Sequence, residues 1–412
     1  MPGTGITGPV LLSVAALAGY LLLVRRLRHQ RMRSILSKYC RYVDSPEAIN
    51  AMTPEDAFAI QALVAEVEFP SMFSVALFLA LFQAFGIPSI SRLLVATGEL
   101  SRKSTASKRA ADTGVLVTEI VFCAPGTDRS VSAIARMNWI HDRYRKSGAI
   151  RDDDMLYTLG LFALEPIRWV QRFEWRALTD LERCAIAVCW KKLGDVMGIS
   201  YSPLPSGARG WQNGLEWLEE LETWSKQYEI QHMTPSTSNT ALAISALNVV
   251  LTNVPRMVKP VAAQFAVASF SPRLRTALAF DKPPLWVRGG LSLVLSIRKL
   301  LLRHLFLPRP LFMRKKWSSE AEAKTGYYNS EHYIAHPWYA RPASKCRWSC
   351  RSWILLLTGG YVPSHNTPEF RPQGYRIPDV GPAGLEGQST EDVEAAKHMI
   401  RKMQACPFHP GK

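Results

Sequence analysis

The sequence predicts an all-α protein with one N-terminal transmembrane helix and an irregular C-terminal tail. Three observations carry that prediction. Apolar residues recur at three- and four-residue spacing through most of the chain, sustained two-residue alternation is scarce, and residues 6–24 carry no charge. No internal repeat is visible, and the strand–helix alternation of an α/β fold is missing.

The elements follow in order. Ile6 to Val24 (ITGPVLLSVAALAGYLLLV) is an uncharged run. At 1.5 Å per residue it spans about 28 Å, close to the ~30 Å hydrocarbon core of a bilayer. The basic run Arg25 to Arg33 follows at once, and no Lys or Arg precedes the span. A cleaved signal peptide carries its positive charge in front. The positive-inside rule therefore places the short N-terminus across the membrane and the rest of the chain in the cytosol.

Thr53-Pro54-Glu55 opens a helix with a good N-cap and proline at its first position. Met72 to Phe85 is apolar all round but too short to span, so it reads as a buried core helix ended by Gly86-Ile87-Pro88. Helices are expected over Ser89 to Leu100 and Lys108 to Phe122, with a polar loop over Ser101 to Ser107 between them. Val131 to Lys146 follows, and places Ile134, Met137, His141 and Tyr144 on one face. Three aspartates, Asp152 to Asp154, precede a helix over Met155 to Leu164, where the helix dipole favours them. Thr179-Asp180-Leu181-Glu182 is a capping box before a helix that ends near Gly194 or Gly198. Trp211 to Ile230, Ala241 to Val250 and Ala262 to Phe270 are further helices.

Leu285 to Leu307 is long and amphipathic, with arginines, a lysine and a histidine among leucines. It fits a cationic helix at a lipid surface and equally a core helix with solvated arginines. After Pro308 prolines, glycines and aromatics become frequent. The organisation expected is a membrane anchor with its basic flank over 1–39, a helical catalytic domain over 40–318, and a Pro/Gly-rich region over 319–412.

Lys plus Arg number 50 against 34 Asp plus Glu, a formal charge of +16 that favours anionic partners. The basic residues are spread among helices without a recognisable nucleic-acid motif, whereas the run after the span suits anionic lipid. Membrane lipid is thus an expected partner and nucleic acid is not. The seven cysteines are odd in number with no CxxC pair, which points to reduced thiols rather than a disulfide framework or zinc knuckle. Cys346 and Cys350 read as bystander thiols.

Standard catalytic signatures are absent: no P-loop, no GxSxG elbow and no HExxH. Gly3 to Gly8 matches GxGxxG by chance, with no room for a strand before it. His332 and His336 stand four apart and would share a face if helical, but no third ligand is near, so a structural role is expected. His141 lies on the inward seam of its helix. Periodicity alone favours a core histidine bonded to a backbone carbonyl. Arg109 and Thr113 share a helix face. They fit a solvated salt-bridge surface, or an inward arginine that needs an anion, for which a haem propionate would serve.

The stretch Asn138-Trp139-Ile140-His141-Asp142-Arg143-Tyr144, with Ile150, Asp154 to Leu159, Phe162, Glu174-Trp175-Arg176-Ala177-Leu178-Thr179, Glu182, Trp190, Gly194, Met197-Gly198-Ile199 and Leu204-Pro205, resembles the fungal membrane-bound oxygenases of the MpaB type. Upstream, Gly86-Ile87-Pro88 and Arg109-Ala110-Ala111-Asp112-Thr113 fit the same pattern. That family shares its catalytic domain with the bacterial rubber oxygenase, the latex clearing protein.

The resemblance implies a globin-like helical core that binds haem b, with His141 as the proximal ligand of the haem iron. Arg109 and Thr113 would match the arginine and threonine that build the haem site and serve catalysis. The rubber oxygenase has a lysine just before that threonine, where this sequence has Asp112, so its distal chemistry does not transfer. Glu99 is the nearest carboxylate to the glutamate proposed as base in the rubber enzyme.

The implied activity is an O2-dependent oxidoreductase of the endoplasmic reticulum membrane. It would cleave a carbon–carbon double bond in a lipophilic, prenylated (farnesyl-type) side chain in secondary-metabolite biosynthesis. Two alternatives stay open at this stage. One is a same-fold oxygenase that hydroxylates or rearranges a polyketide or terpenoid; the other is a non-enzymatic, basic membrane adaptor.

Overall fold

The computed structural model describes residues 7–45, 47–341, 350–357, 359–363, 369–388, 390–403 and 407–408. Among them the fold is all-α with no strand, only isolated bridges near Ser318, Tyr328 and Ser330. Glycine 3 and its neighbours, Cys346 and Cys406, and the side chain of Cys350 lie outside the described residues.

The helices are α1 (Thr7–Lys38), α2 (Pro54–Leu63), α3 (Pro70–Phe85), α4 (Pro88–Thr97), α5 (Ala106–Phe122), α6 (Asp128–Lys146), α7 (Asp152–Phe173) and α8 (Asp180–Val196). Then come α9 (Gly214–His232), α10 (Thr237–Val250), α11 (Lys259–Ala268), α12 (Pro272–Ala277), α13 (Leu285–His304), α14 (Cys350–Leu357) and α15 (Thr390–Lys402). The anchor does not stop at Val24: α1 runs on through the basic segment as one continuous helix.

The caps legible in the sequence form as expected. The Thr53 hydroxyl accepts from the Asp56 amide, and Thr179 and Glu182 make the full reciprocal capping box. Among the boundaries that differ from the sequence reading, two lie in α5 and α7. Helix α5 starts at Ala106, inside the expected loop. Helix α7 runs on to Phe173 instead of ending at Leu164, with Pro166 inside it. A proline in a helix removes one amide donor. Side chains span this break: the Glu165 carboxylate accepts from Arg168 at 2.7 Å and from Trp169 Nε1 at 3.1 Å.

The core has two lobes. In one, α3 lies along α7 and α2 along α8, with Phe69, Phe73, Leu156, Ile186 and Trp217 sealed between them. Helix α3 is buried, as its uniformly apolar sequence demands. A one-turn π-helix, Val64–Glu68, and a 105° bend separate it from α2. The second lobe gathers Phe82, Phe85, Tyr157, Leu242 and Leu274.

The chain after Pro308 does not stand apart. Helix α15 packs on α6, and the connecting segments are bolted to α5 and α6 by buried polar contacts. The fully buried Arg136 donates to the carbonyls of Val380 and Gln388 at 2.8 and 2.9 Å. Tyr339 donates to Asp112 and Tyr375 to Glu119, each at 2.6 Å. Glu119 is also held by a two-armed Arg129, with both bonds at 2.7 Å. Removing one partner of such a buried pair costs about 3–5 kcal/mol. Arg129→Ala is therefore expected to lower the unfolding free energy measured in urea by that amount, whereas Arg183→Ala on the surface should leave it nearly unchanged.

Candidate functional site

Helix α6 carries the centre of the site. The Thr127 side chain caps its start, and Arg143, Arg145 and Lys146 fill its last turn, where their charge complements the dipole. Gly148, at φ +71°, turns the chain out of the helix in a conformation that side chains with a Cβ rarely adopt. The C-terminal half of α6 is tied to the end of α8. Asn138 donates to the Val196 carbonyl at 3.1 Å, and Arg145 donates to those of Met197 and Gly198, each at 3.0 Å.

The face through Ile134, Met137, His141 and Tyr144 remains partly uncovered. So does the α7 face through Met155, Thr158 and Phe162, whereas Leu156, Tyr157, Leu159, Gly160, Leu161 and Ala163 around it are buried. On α5 the surface through Ala110, Thr113, Gly114 and Val117 is likewise open, and a Cβ added at Gly114 would meet nothing within 4 Å. Helix α6 packs on α5 and α15, yet it does not lie side by side with α7, its successor in the chain. Helices α5 and α6 pack side by side, and their partly open faces bring Arg109 within electrostatic reach of His141 and Tyr144.

His141 lies on the partly open face of α6. Its Nδ1 is buried without a hydrogen-bond partner, and Nε2 has no partner among the described residues either. The expected bond to a backbone carbonyl is not made. Desolvation first, then the positive charges of Arg109 and Arg145, pull the imidazole down to about 4 from its ordinary 6.5. It is neutral at physiological pH.

Arg109 is the second unusual group. Its guanidinium donates to the Thr113 hydroxyl, which donates in turn to the Arg109 carbonyl at 2.9 Å. No carboxylate pairs with it among the described residues, and burial depresses its pKa, with only partial relief from Asp112, Glu99 and Tyr144. It makes no salt bridge among the described residues: it is a partly buried cation whose one side-chain partner is the Thr113 hydroxyl.

Asp112 points elsewhere. It is completely buried, bonded to Lys108 Nζ at 2.9 Å and to the Tyr339 hydroxyl at 2.6 Å. Desolvation raises its carboxyl pKa despite these partners. Lys108 and Tyr339 escaped the sequence reading. Tyr339 lies far along the chain in an irregular segment and carries no local signal.

Residues 331–336 are not helical. His336 Nδ1 meets the Ser107 hydroxyl at 2.5 Å, and His332 packs edge-on against Trp317. Among the described residues no three His, Cys, Asp or Glu side chains gather as a metal site. A separate cleft lies between α2, α6, α8 and α15, lined by Phe58, Ile120, Ile134, Trp190 and Ile400. His141, Arg109 and Thr113 do not line it.

This arrangement coincides with a known catalytic domain. The family described as ER-bound oxygenase mpaB/B'/rubber oxygenase, catalytic domain, matches residues 67–296, which include helices α5 to α7. The chain belongs to this oxygenase family. It is 40% identical over 398 residues to the ER-bound oxygenase mpaB' of Penicillium brevicompactum, covering 96% of this chain and 94% of that protein. It is 38% identical over 361 residues to the ER-bound oxygenase mpaB of the same organism, covering 88% of this chain and 85% of that protein. A Penicillium roqueforti mpaB is 44% identical over 268 residues, covering 65% of this chain and 89% of that protein. As a member of this oxygenase family the chain is an O2-dependent oxidoreductase acting on a small molecule.

The depressed imidazole gives a pH prediction for this oxygenase. Below pH 6.5 the unfolded chain binds a proton at His141 that the folded chain refuses until about pH 4. Cofactor-free protein should lose about 3 kcal/mol from this group as pH falls through that window. Urea midpoints of wild type and His141→Gln across pH 4–7 would reveal it; parallel curves would refute it.

Proposed function

We propose that the chain is a haem b-dependent oxygenase that cleaves a C=C bond of a prenyl, farnesyl-type side chain in secondary-metabolite biosynthesis. It is held by a single span in the endoplasmic reticulum membrane with its catalytic domain in the cytosol. The observation that carries this reading is a neutral, unpartnered imidazole beside a partly buried cation that makes no salt bridge among the described residues. A haem needs both: one nitrogen lone pair for iron, and one positive charge for a propionate.

The residues fit the group. His141 keeps a lone pair free for iron because it is neutral and makes no competing hydrogen bond. Arg109, oriented by the Thr113 hydroxyl, would hold a propionate. A haem bound there supplies the binding and activation of O2. The protein supplies the rest. Met137, partly open one turn before His141 on α6, would offer apolar surface to a hydrocarbon chain. Asp112, locked to Lys108 and Tyr339, is spoken for structurally, which leaves Glu99, whose charge reaches Arg109, as the carboxylate nearest the site. No base is required by the stoichiometry: an alkene and O2 together contain the atoms of two carbonyl products.

The anchor supports the membrane part of this reading. A farnesyl chain dissolves in the bilayer, and α1 keeps the domain beside that reservoir. The basic run after the span supports the cytosolic orientation. Turnover of a prenylated substrate under isotopically labelled O2 tests the reaction. One labelled oxygen in each of two carbonyl fragments is expected; a single labelled hydroxyl on an intact chain would replace cleavage by hydroxylation.

A further inference from the structure

We infer that α13 and the segment after it form a second membrane contact, embedded in the same leaflet that the N-terminal anchor enters. The inference rests on the anchored-enzyme reading above, yet its readout needs neither haem nor turnover.

Helix α13 is amphipathic in the inverse sense of a soluble surface helix. Such a helix turns its apolar stripe inward and its charges to water. Here Arg288, Arg298 and Lys299 face the protein, and only Arg303 and His304 in the last turn are exposed. Arg298 pairs with the buried Glu174 at 2.8 Å, and the Nε of Arg288 is buried. Lys299 points at the Arg172 carbonyl. From Leu285 to Leu300 every exposed residue is apolar, a serine or a glycine. Trp286, Leu293, Ile297 and Leu300 form the outward stripe and are 45–61% exposed. Water has no use for this face, and a soluble protein rarely displays one so continuous.

Position identifies what covers it. The C-terminal end of α13 lies against α1. The Tyr20 hydroxyl donates to the Leu305 carbonyl at 2.6 Å, and Arg28 donates to the carbonyls of Phe306 and Leu307. Tyr20 stands five residues before Arg25, about 7.5 Å of helix rise on the apolar side of the first basic residue. Leu305 thus meets the anchor at Tyr20, on the hydrocarbon side, and Phe306, Leu307 and Arg309 meet Arg28 and Arg31 of its basic flank, where an interfacial segment would lie. The chain then presents Leu311 and Phe312, at 64% and 88% exposure, between Arg309 and Arg314. Apolar side chains flanked by arginines, continuous with a membrane-spanning helix, match a leaflet with an anionic surface. Two contacts fix the catalytic domain's tilt, which one helix alone leaves free.

The test uses the full-length chain in vesicles of phosphatidylcholine and phosphatidylserine that contain a phospholipid with a photoactivatable diazirine on its acyl chain. Irradiation, digestion and mass spectrometry map the adducts. Adducts are expected in peptides covering 285–300 and 305–313 as well as in the anchor. In the double variant L293E/L300E, labelling of 285–300 should fall about tenfold, because carboxylates are expelled from hydrocarbon, while anchor labelling persists. Both positions are exposed, so the variant loses no packing. Adducts confined to the anchor would overturn the inference and leave the anchored enzyme intact. Crosslinks between two copies through this face, in place of lipid adducts, would overturn it in favour of self-association. Absence of adducts at both sites would overturn it together with the anchor.

Discussion

His141→Ala is expected to yield a folded, haem-free protein. Outer-shell changes at metal sites already lower affinity about 10–100-fold, so removing the ligand itself should exceed that and abolish the Soret band. The fold should survive. The imidazole makes no hydrogen bond that alanine would forfeit, and it is a destabilised group below pH 6.5. Two further readouts separate ligand loss from general damage. Far-ultraviolet circular dichroism should match wild type, and added imidazole should restore part of the absorption by occupying the vacated position. Full haem occupancy in the variant would remove His141 as the ligand.

Arg109→Ala should weaken haem retention while leaving the apo-protein as stable as before, or more so. A hydrogen bond to a charged group contributes about 1.5–3 kcal/mol, so about 10–150-fold in affinity is at stake. Against this, a partly buried guanidinium with no carboxylate partner among the described residues destabilises the empty fold, as its depressed pKa shows. A purely structural arginine would behave in the opposite way, its loss lowering the unfolding midpoint. Arg109→Lys should fall between, since it keeps the charge but not the planar fork. Haem titration and urea unfolding of the same three proteins decide the matter.

Local chemistry explains which parts of the fold were legible in the sequence. Thr53 and Thr179 announce their helices because capping depends on residues a few positions away, whereas the Thr127 cap of α6 escaped the sequence reading. The face through Met137, His141 and Tyr144 follows from periodicity alone. What periodicity could not supply is what that face meets. Whether His141 meets a carbonyl depends on how α6 packs against its neighbours, a tertiary fact with no sequence period. The same holds for Asp112: its neighbours mark it as an acid next to a candidate site, but its partner Tyr339 arrives from a segment with no regular pattern. Helix α7 runs past the expected end at Leu164 to Phe173 with Pro166 inside it, held by packing rather than by any local signal. Helix α13 shows the limit most clearly. Its composition allowed a lipid-facing helix and a core helix equally, and only the inward turn of Arg298 and Lys299 distinguishes them.

The proposed activity depends on coordination of a porphyrin iron by the His141 imidazole of α6. The most direct measurement is the absorption spectrum and iron content of the purified full-length chain expressed with a haem supply. One haem b per chain, with a Soret band that His141→Ala removes, is the result expected. A colourless, iron-free protein that still consumes O2 with its substrate would contradict it.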